Sequence, residues 1–212
     1  MTTTQKSLKA VNLAWLWSVV ALDAIALVLV AFPGLISSET LKDFAWVRVL
    51  VAGVAPVVVL LLSSLLSADA KAVIVFWRLK ETLPGHRAFS VYAPRDSRIN
   101  VDALRKNIGT FPDDPREQNT LWFKLYKKVE SEVTVAQAHR HYLLFRDLAA
   151  MSLLLAPSAT LALYLNGAAS PATWIAFAIL CGQYAATALA ARNNGIRFVT
   201  NVLTLHSVKR RA

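Results

Sequence analysis

Four stretches of almost uninterrupted apolar residues, at about 11–32, 45–66, 144–165 and 172–191, constrain this chain more than any other feature. Each approaches ~20 residues, the length a helix needs to cross a hydrocarbon layer ~30 Å thick. A soluble core has no need of such runs, because half of a surface helix must stay polar. The hydrophobic fraction is 56%, above the ~45–50% usual for soluble domains, and the excess is concentrated in these blocks while the charges lie between them. The pattern predicts an all-α integral membrane protein with four transmembrane helices. It divides as 1–66 (first hairpin), 67–143 (basic cytoplasmic segment), 144–191 (second hairpin) and 192–212 (basic tail).

The breakers refine this reading. Pro33-Gly34 closes the first span, whose inner end carries Trp15 and Trp17, and Pro56 lies inside the second. Beyond residue 66 the apolar pattern resumes over 72–77, so the second helix is expected to continue out of the membrane and to stop at Pro84-Gly85. Residues 86–92 read as short, mixed and extended. Asn100 suits the N-cap of a helix over 101–108, with Gly109 past its end. Asp114, Pro115 and Glu117 form a strong start signal: cap, first helical position and capping-box partner. From there Trp122, Leu125, Tyr126, Val129, Val133 and Ala136 recur at helical spacing. One continuous helix of about 50 residues is predicted from Pro115 through the third span, with Pro157 inside; 130–135 is its weakest stretch in propensity. Asn193-Asn194-Gly195 is expected to weaken the last helix before Ile196, Val199, Val202 and Leu205 resume the stripe. Helices 2, 3 and 4 thus extend into a helical cytoplasmic subdomain.

The net charge is +10. A basic balance admits nucleic acid, but Lys and Arg also collect on the cytoplasmic side of membrane proteins, and nucleic acid is not the first reading. Lys42 is the only cation in the two short connections, whereas the middle segment and tail are rich in them. This places both termini in the cytoplasm of a bacterial inner membrane, with the lipid bilayer as first partner. The apolar block after Lys6 and Lys9 lacks a small-residue cleavage site and reads as a retained span. The single cysteine, Cys181, leaves no intramolecular disulfide to form.

Several constellations could carry function. Asp23 lies near the middle of the first span, where a bare carboxylate costs roughly 2.5–3.5 kcal/mol on insertion scales. Arg48 is its best partner by depth, and Ser158, Thr160 and Gln183 fall in the same half, so the five predict an intramembrane polar layer, either a gate or a structural pair. Ala178, Gly182, Ala186 and Ala190 form a small-residue column suited to packing within the chain or to the seam of a homo-oligomer. In the cytoplasmic segment Arg87, Arg95 and Arg98 alternate with Phe89 and Tyr92; guanidinium forks and aromatic faces suit a phosphorylated or nucleotide ligand, and equally anionic lipid heads. Trp122 and Tyr126 head the stripe that a soluble partner could use. His139 and His141 point in different directions on a helix and read as solvated side chains, and no spacing of ligands implies a metal. No nucleophile elbow, phosphate loop or zinc-peptidase motif is present. No enzyme activity and no cofactor are expected.

The stretches 84–90, 96–99 and 111–119, with Trp122 and Leu125-Tyr126, resemble a junction found in small bacterial four-span membrane proteins. In layout the chain is similar to the four-span membrane effectors of bacterial anti-phage systems. That resemblance implies a cytoplasmic part that receives a signal and spans that perturb or permeabilise the membrane; it carries over no residue, and the chemistry of the basic loop suggests Arg87, Tyr92, Arg95 and Arg98 as receiver. The alternatives are an anchoring subunit that recruits a soluble partner, and a small proton-coupled transporter or channel that uses Asp23.

Overall fold

The N-caps at 100 and 114 act as the sequence predicts, although the Glu117 side chain does not complete the capping box. In the computed structural model, which describes residues 8–31, 61, 64–165 and 170–208, Asn100 accepts the Ala103 amide at 2.9 Å and caps the helix Val101–Ile108, which ends at Gly109 with φ +94°. Asp114 accepts the amides of Arg116 and Glu117 at 2.9 and 3.0 Å and opens Pro115–Lys127. With these, the described elements are α1 (Leu8–Ala31), α2 (Ala68–Phe76), a helical corner over 84–95, α3 (Val101–Ile108), α4 (Pro115–Lys127), α5 (Val133–Leu165) and α6 (Ser170–Val208). No strand occurs among the described residues. The second span, the connection 33–44, Arg48, most of the second connection and the basic end 209–211 lie outside them.

Four expectations are corrected. The helix predicted to run unbroken from Pro115 is broken at 128–132, where α4 ends and a turn precedes α5. The turn resets the helical phase: Trp122, Leu125 and Val129 are buried, but Val133 is 67% exposed, and the buried stripe resumes at Val135, Ala138 and Tyr142. The second helix does not run on without interruption, since residues 66 and 67 break it; α2 then stops at Phe76, ahead of Pro84-Gly85. Residues 86–92 are not extended but form the end of a 3-10 turn and one π-helical turn, Ala88–Tyr92. Gln118 explains that turn. It is buried, and its Oε1 accepts the Phe89 and Ser90 amides and the Ser90 hydroxyl at 3.1–3.2 Å, which gives first-turn donors a partner they lack within the helix. Finally, Asn193-Asn194-Gly195 does not weaken α6. Gly195 is helical because space, not flexibility, is at stake: a Cβ there would come within 2.9 Å of Phe76 and 3.1 Å of Tyr142.

The chain divides into two compact units, one of Met1–Ser67 with Asp147–Thr187, the other of Ala68–Arg146 with Ala188–Ala212. In the first, α5 and α6 contribute helices long and apolar enough to cross a membrane, and α1 a shorter apolar stretch, Asn12–Leu27. Two such helices occur among the described residues, and the block at 45–66 lies largely outside those residues. The two helices are not buried as the core helices of a soluble protein would be: 44% and 22% of their most apolar windows are inside. Leu22, Leu161, Tyr164, Trp174, Ile175 and Ile179 are all exposed, an amount of apolar surface that water would penalise and lipid would accept.

The second unit has its own core. Phe89, Tyr92, Ile99, Leu104, Trp122, Leu125, Val129 and Val135 pack with Phe198, Val199, Val202 and Leu203 of α6. Polar ties hold the C-terminal part of α6 in this unit: Asn107 donates to the His206 carbonyl at 2.9 Å, and His206 Nε2 bonds the Leu125 carbonyl at 3.0 Å.

Candidate functional site

The start of α5 and the later part of α6 each carry a polar stripe at helical spacing, Thr134, Gln137 and His141 on one, Asn194, Arg197 and Asn201 on the other. Between them lies an open cleft of about 500 Å³, completed by Arg98 and Ala138. No carboxylate is among its lining residues. Arg98 is fixed from behind by Asp96, which accepts from Nε and Nη2 at 3.0 and 2.7 Å; the same guanidinium donates to Thr200 and Asn201 at 3.0 and 3.3 Å. Asn201 in turn donates to the Thr134 carbonyl at 3.1 Å, which joins the two stripes. The Arg98 hydrogen bonds hold the Asp96 carboxyl at about 2, below its ordinary range, so the pair stays charged at any physiological pH. Arg197 is exposed and has no acid beside it in the cleft. The Arg98 guanidinium and the Asn194 and Asn201 amides already donate to protein acceptors, so Arg197 is the cleft's exposed cation, and phosphate oxygens suit the fork of Arg.

No family model, curated protein or solved structure matches the chain. The geometry is therefore the only guide to what the cleft receives. Of the receiver residues read from sequence, it gathers Arg98 alone. Arg95 is exposed elsewhere, Tyr92 is buried in the core, and Arg87 lies 5.8 Å from the Tyr92 ring. Trp122 and Tyr126 do not form a partner-binding face. Trp122 is buried and edge-on to Phe198, while Tyr126, stacked on Trp122, is itself edge-on to Phe198. His139 is not solvated as expected: its ring stacks on Phe198 at 4.5 Å, and its Nδ1 shares a hydrogen bond with the Tyr126 hydroxyl at 3.2 Å. The cleft residues Gln137, His141, Asn194, Arg197 and Asn201 were missed as a set, although their spacing, i, i+4 on one helix and i, i+3, i+7 on the other, places each group on one face.

In the apolar unit, Gln183 on α6 donates through Nε2 to Asp23 on α1 at 3.0 Å and to Ser152 on α5 at 3.1 Å. Ser152, fully buried, donates to the Leu148 carbonyl. Asp23 and Gln183 of the expected polar layer are thus brought together, with Ser152 added. Ser158 and Thr160 are not: their hydroxyls bond carbonyls of their own helix. The small-residue column is exposed at Ala178, Gly182 and Ala186 and partly buried at Ala190. Among the described residues no cluster of three or more His, Cys, Asp or Glu could hold a metal.

Proposed function

We propose that this chain is a non-enzymatic membrane effector of the bacterial inner membrane, whose cytoplasmic helical unit receives a phosphorylated ligand in the Arg98–Arg197 cleft and whose spans then perturb the bilayer. The observation that carries the reading is the cleft itself, an exposed cation without a lining carboxylate, on the two helices that continue into the apolar unit. α5 carries His141 and Ser152; α6 carries Arg197 and Gln183. A ligand that draws the two polar stripes together acts on the same helices that meet at Gln183, and it shifts their arrangement by as much as it binds the two arrangements unequally. A role in anti-phage defence, and assembly into a homo-oligomer that makes the leak, extend this reading. Trp122 is buried in the core, so an anchoring role would use another surface.

The test is inducible expression in bacteria with a membrane-potential dye, comparing the wild type with Arg197→Glu and His141→Ala at matched membrane levels. Depolarisation by the wild type that Arg197→Glu reduces at least tenfold supports the reading. Depolarisation untouched by both variants moves the receiver elsewhere, and the absence of any depolarisation rejects the effector. Binding is read with ATP and inorganic pyrophosphate as probes on the purified chain, where thermal stabilisation of the wild type but not of Arg197→Glu is expected. A second reading, a proton-coupled path, has the Asp23–Gln183 bond in its favour; it requires Asp23→Asn to abolish a pH-driven current while leaving cleft binding intact.

A further inference from the structure

The turn after α2 is built against conformational preference. Trp77 and Glu81 both have left-handed backbones, φ +52° and +50°, a geometry unfavourable for any residue that carries a side chain. Such strain persists where surrounding structure imposes it, often at binding sites. What the turn achieves is exposure: Leu79 is 88% exposed and Trp77 54%, with Arg78 and Lys80 exposed between and beside them. The Arg192 guanidinium lies 5.7 Å from the Trp77 ring centre.

Arg87 supplies the second observation. Its Nε and Nη2 are buried and have no hydrogen-bond partner among the described residues, although the side chain as a whole remains partly exposed. Burial disfavours its charge; Arg78 and Arg192 add repulsion, and Tyr92 and Glu81 oppose these only in part. Buried guanidinium donors left unpaired are rare and costly, and an anion at the partly exposed part of the side chain would favour its charge. Arg192 also follows directly on the apolar stretch 172–191, and cations commonly flank such stretches at a membrane interface.

We propose that the 77–81 turn, with Arg87 and Arg192, is a binding site for an anionic glycerophospholipid: the arginines hold the headgroup phosphate and Trp77 and Leu79 enter the boundary between headgroup and acyl chain. A free phosphate shares the headgroup chemistry, but it makes no use of an exposed indole and leucine held in place by a strained turn. A basic surface that inserts an aromatic and an aliphatic side chain matches an interface with anionic lipid.

The experiment measures the thermal midpoint of the purified full-length chain in mild detergent, with phosphatidylglycerol or phosphatidylcholine added. The wild type is expected to gain several degrees with phosphatidylglycerol and little with phosphatidylcholine. Arg87→Gln, Arg192→Gln and Trp77→Ser should each lose at least half of that gain, while Lys124→Gln and the cleft variant Arg197→Gln should keep it. Should Arg87→Gln fail to fold, Arg192→Gln and Trp77→Ser, both at exposed positions, decide the matter. Equal gains with the two lipids, or a full gain in Arg192→Gln and Trp77→Ser, overturn the proposal. A gain of the same size with inorganic phosphate or glycerol phosphate makes this a free-anion site and overturns the assignment to lipid.

Discussion

At the scale of single residues, His139 is where chemistry and packing are most tightly joined. Burial against Phe198, reinforced by the Arg146 and Lys127 charges and opposed by Glu130, lowers its pKa to about 4 from the usual 6.5. The neutral ring shares a hydrogen bond with the Tyr126 hydroxyl, whose own proton burial helps to retain. The folded state therefore binds fewer protons than the unfolded state between these two values. Stability is fully present above about 6.5 and falls as the pH drops toward about 4, by on the order of 3 kcal/mol. The thermal midpoint of the purified chain should decline through that window, and His139→Phe, which keeps the stack, should decline less; parallel curves for the two would show that His139 is not the titrating group. Gln118 offers a case without charge. Gln118→Leu fills the space but strands the Phe89 and Ser90 amides, and each buried donor left unmet costs ~1–3 kcal/mol. A loss of several degrees in thermal midpoint is expected, and Gln118→Glu should also fall below wild type, because it keeps an acceptor for both amides but buries an unpaired charge and loses the Nε2 donation to the Asp113 carbonyl.

At the scale of elements, the local rules were legible wherever one residue decides the outcome. Asn100 and Asp114 cap because a short side-chain oxygen can reach free amides, and that is a property of the residue and its place in the chain. Asp114→Ala should cost ~1 kcal/mol and Asp114→Asn much less, read as thermal midpoints; equal losses would mean that charge rather than the cap bond matters. The break at 128–132 was legible only in part, as the low propensity of 130–135, because packing decides where the helix stops. Nothing in 128–132 forbids a helix, yet a continuous one would carry Val133 rather than Val135 toward the core that Phe198 and Val202 define. Gly195 is the converse case. Its low helix propensity suggested weakness, and only the nearness of Phe76 and Tyr142 reveals that a small residue is required. Gly195→Ala gains up to ~1 kcal/mol in propensity but meets an overpacking cost of ~1–3 kcal/mol. A net loss is expected, and Gly195→Leu should be far worse. Stabilisation by Ala would mean that Phe76 gives way freely. The cleft escaped sequence reading for the same reason as the breaks: its two stripes were visible, but their meeting depends on which face of α6 the core claims.

At the scale of the whole molecule, the shared core constrains topology without reference to charge. Leu104 and Trp122 from the middle segment pack with Phe198, Val199 and Val202 from the C-terminal part of α6. Residues 68–146 and 188–208 therefore lie on the same side of any membrane the chain crosses. The intervening stretch, which holds the apolar parts of α5 and α6, must then cross an even number of times, and two helices of sufficient length are there to do so. Reporter fusions at Asp96 and Ala212 should accordingly agree with each other, and a fusion at Gly167 should read the opposite side. Which side is which comes from the cations: Arg78, Arg87, Arg95, Arg98, Arg105 and Lys106 precede the second hairpin, and no cation lies in 166–171, so Asp96 and Ala212 should be cytoplasmic and Gly167 periplasmic. The fusion at Glu39 probes a separate premise, that the block at 45–66 crosses as well; a periplasmic result there completes four spans, and a cytoplasmic one reduces the chain to a single hairpin with an N-terminal helix that does not cross. Opposite readings at Asp96 and Ala212 would be the most damaging result, since they would require the unit to come apart in the membrane-bound protein.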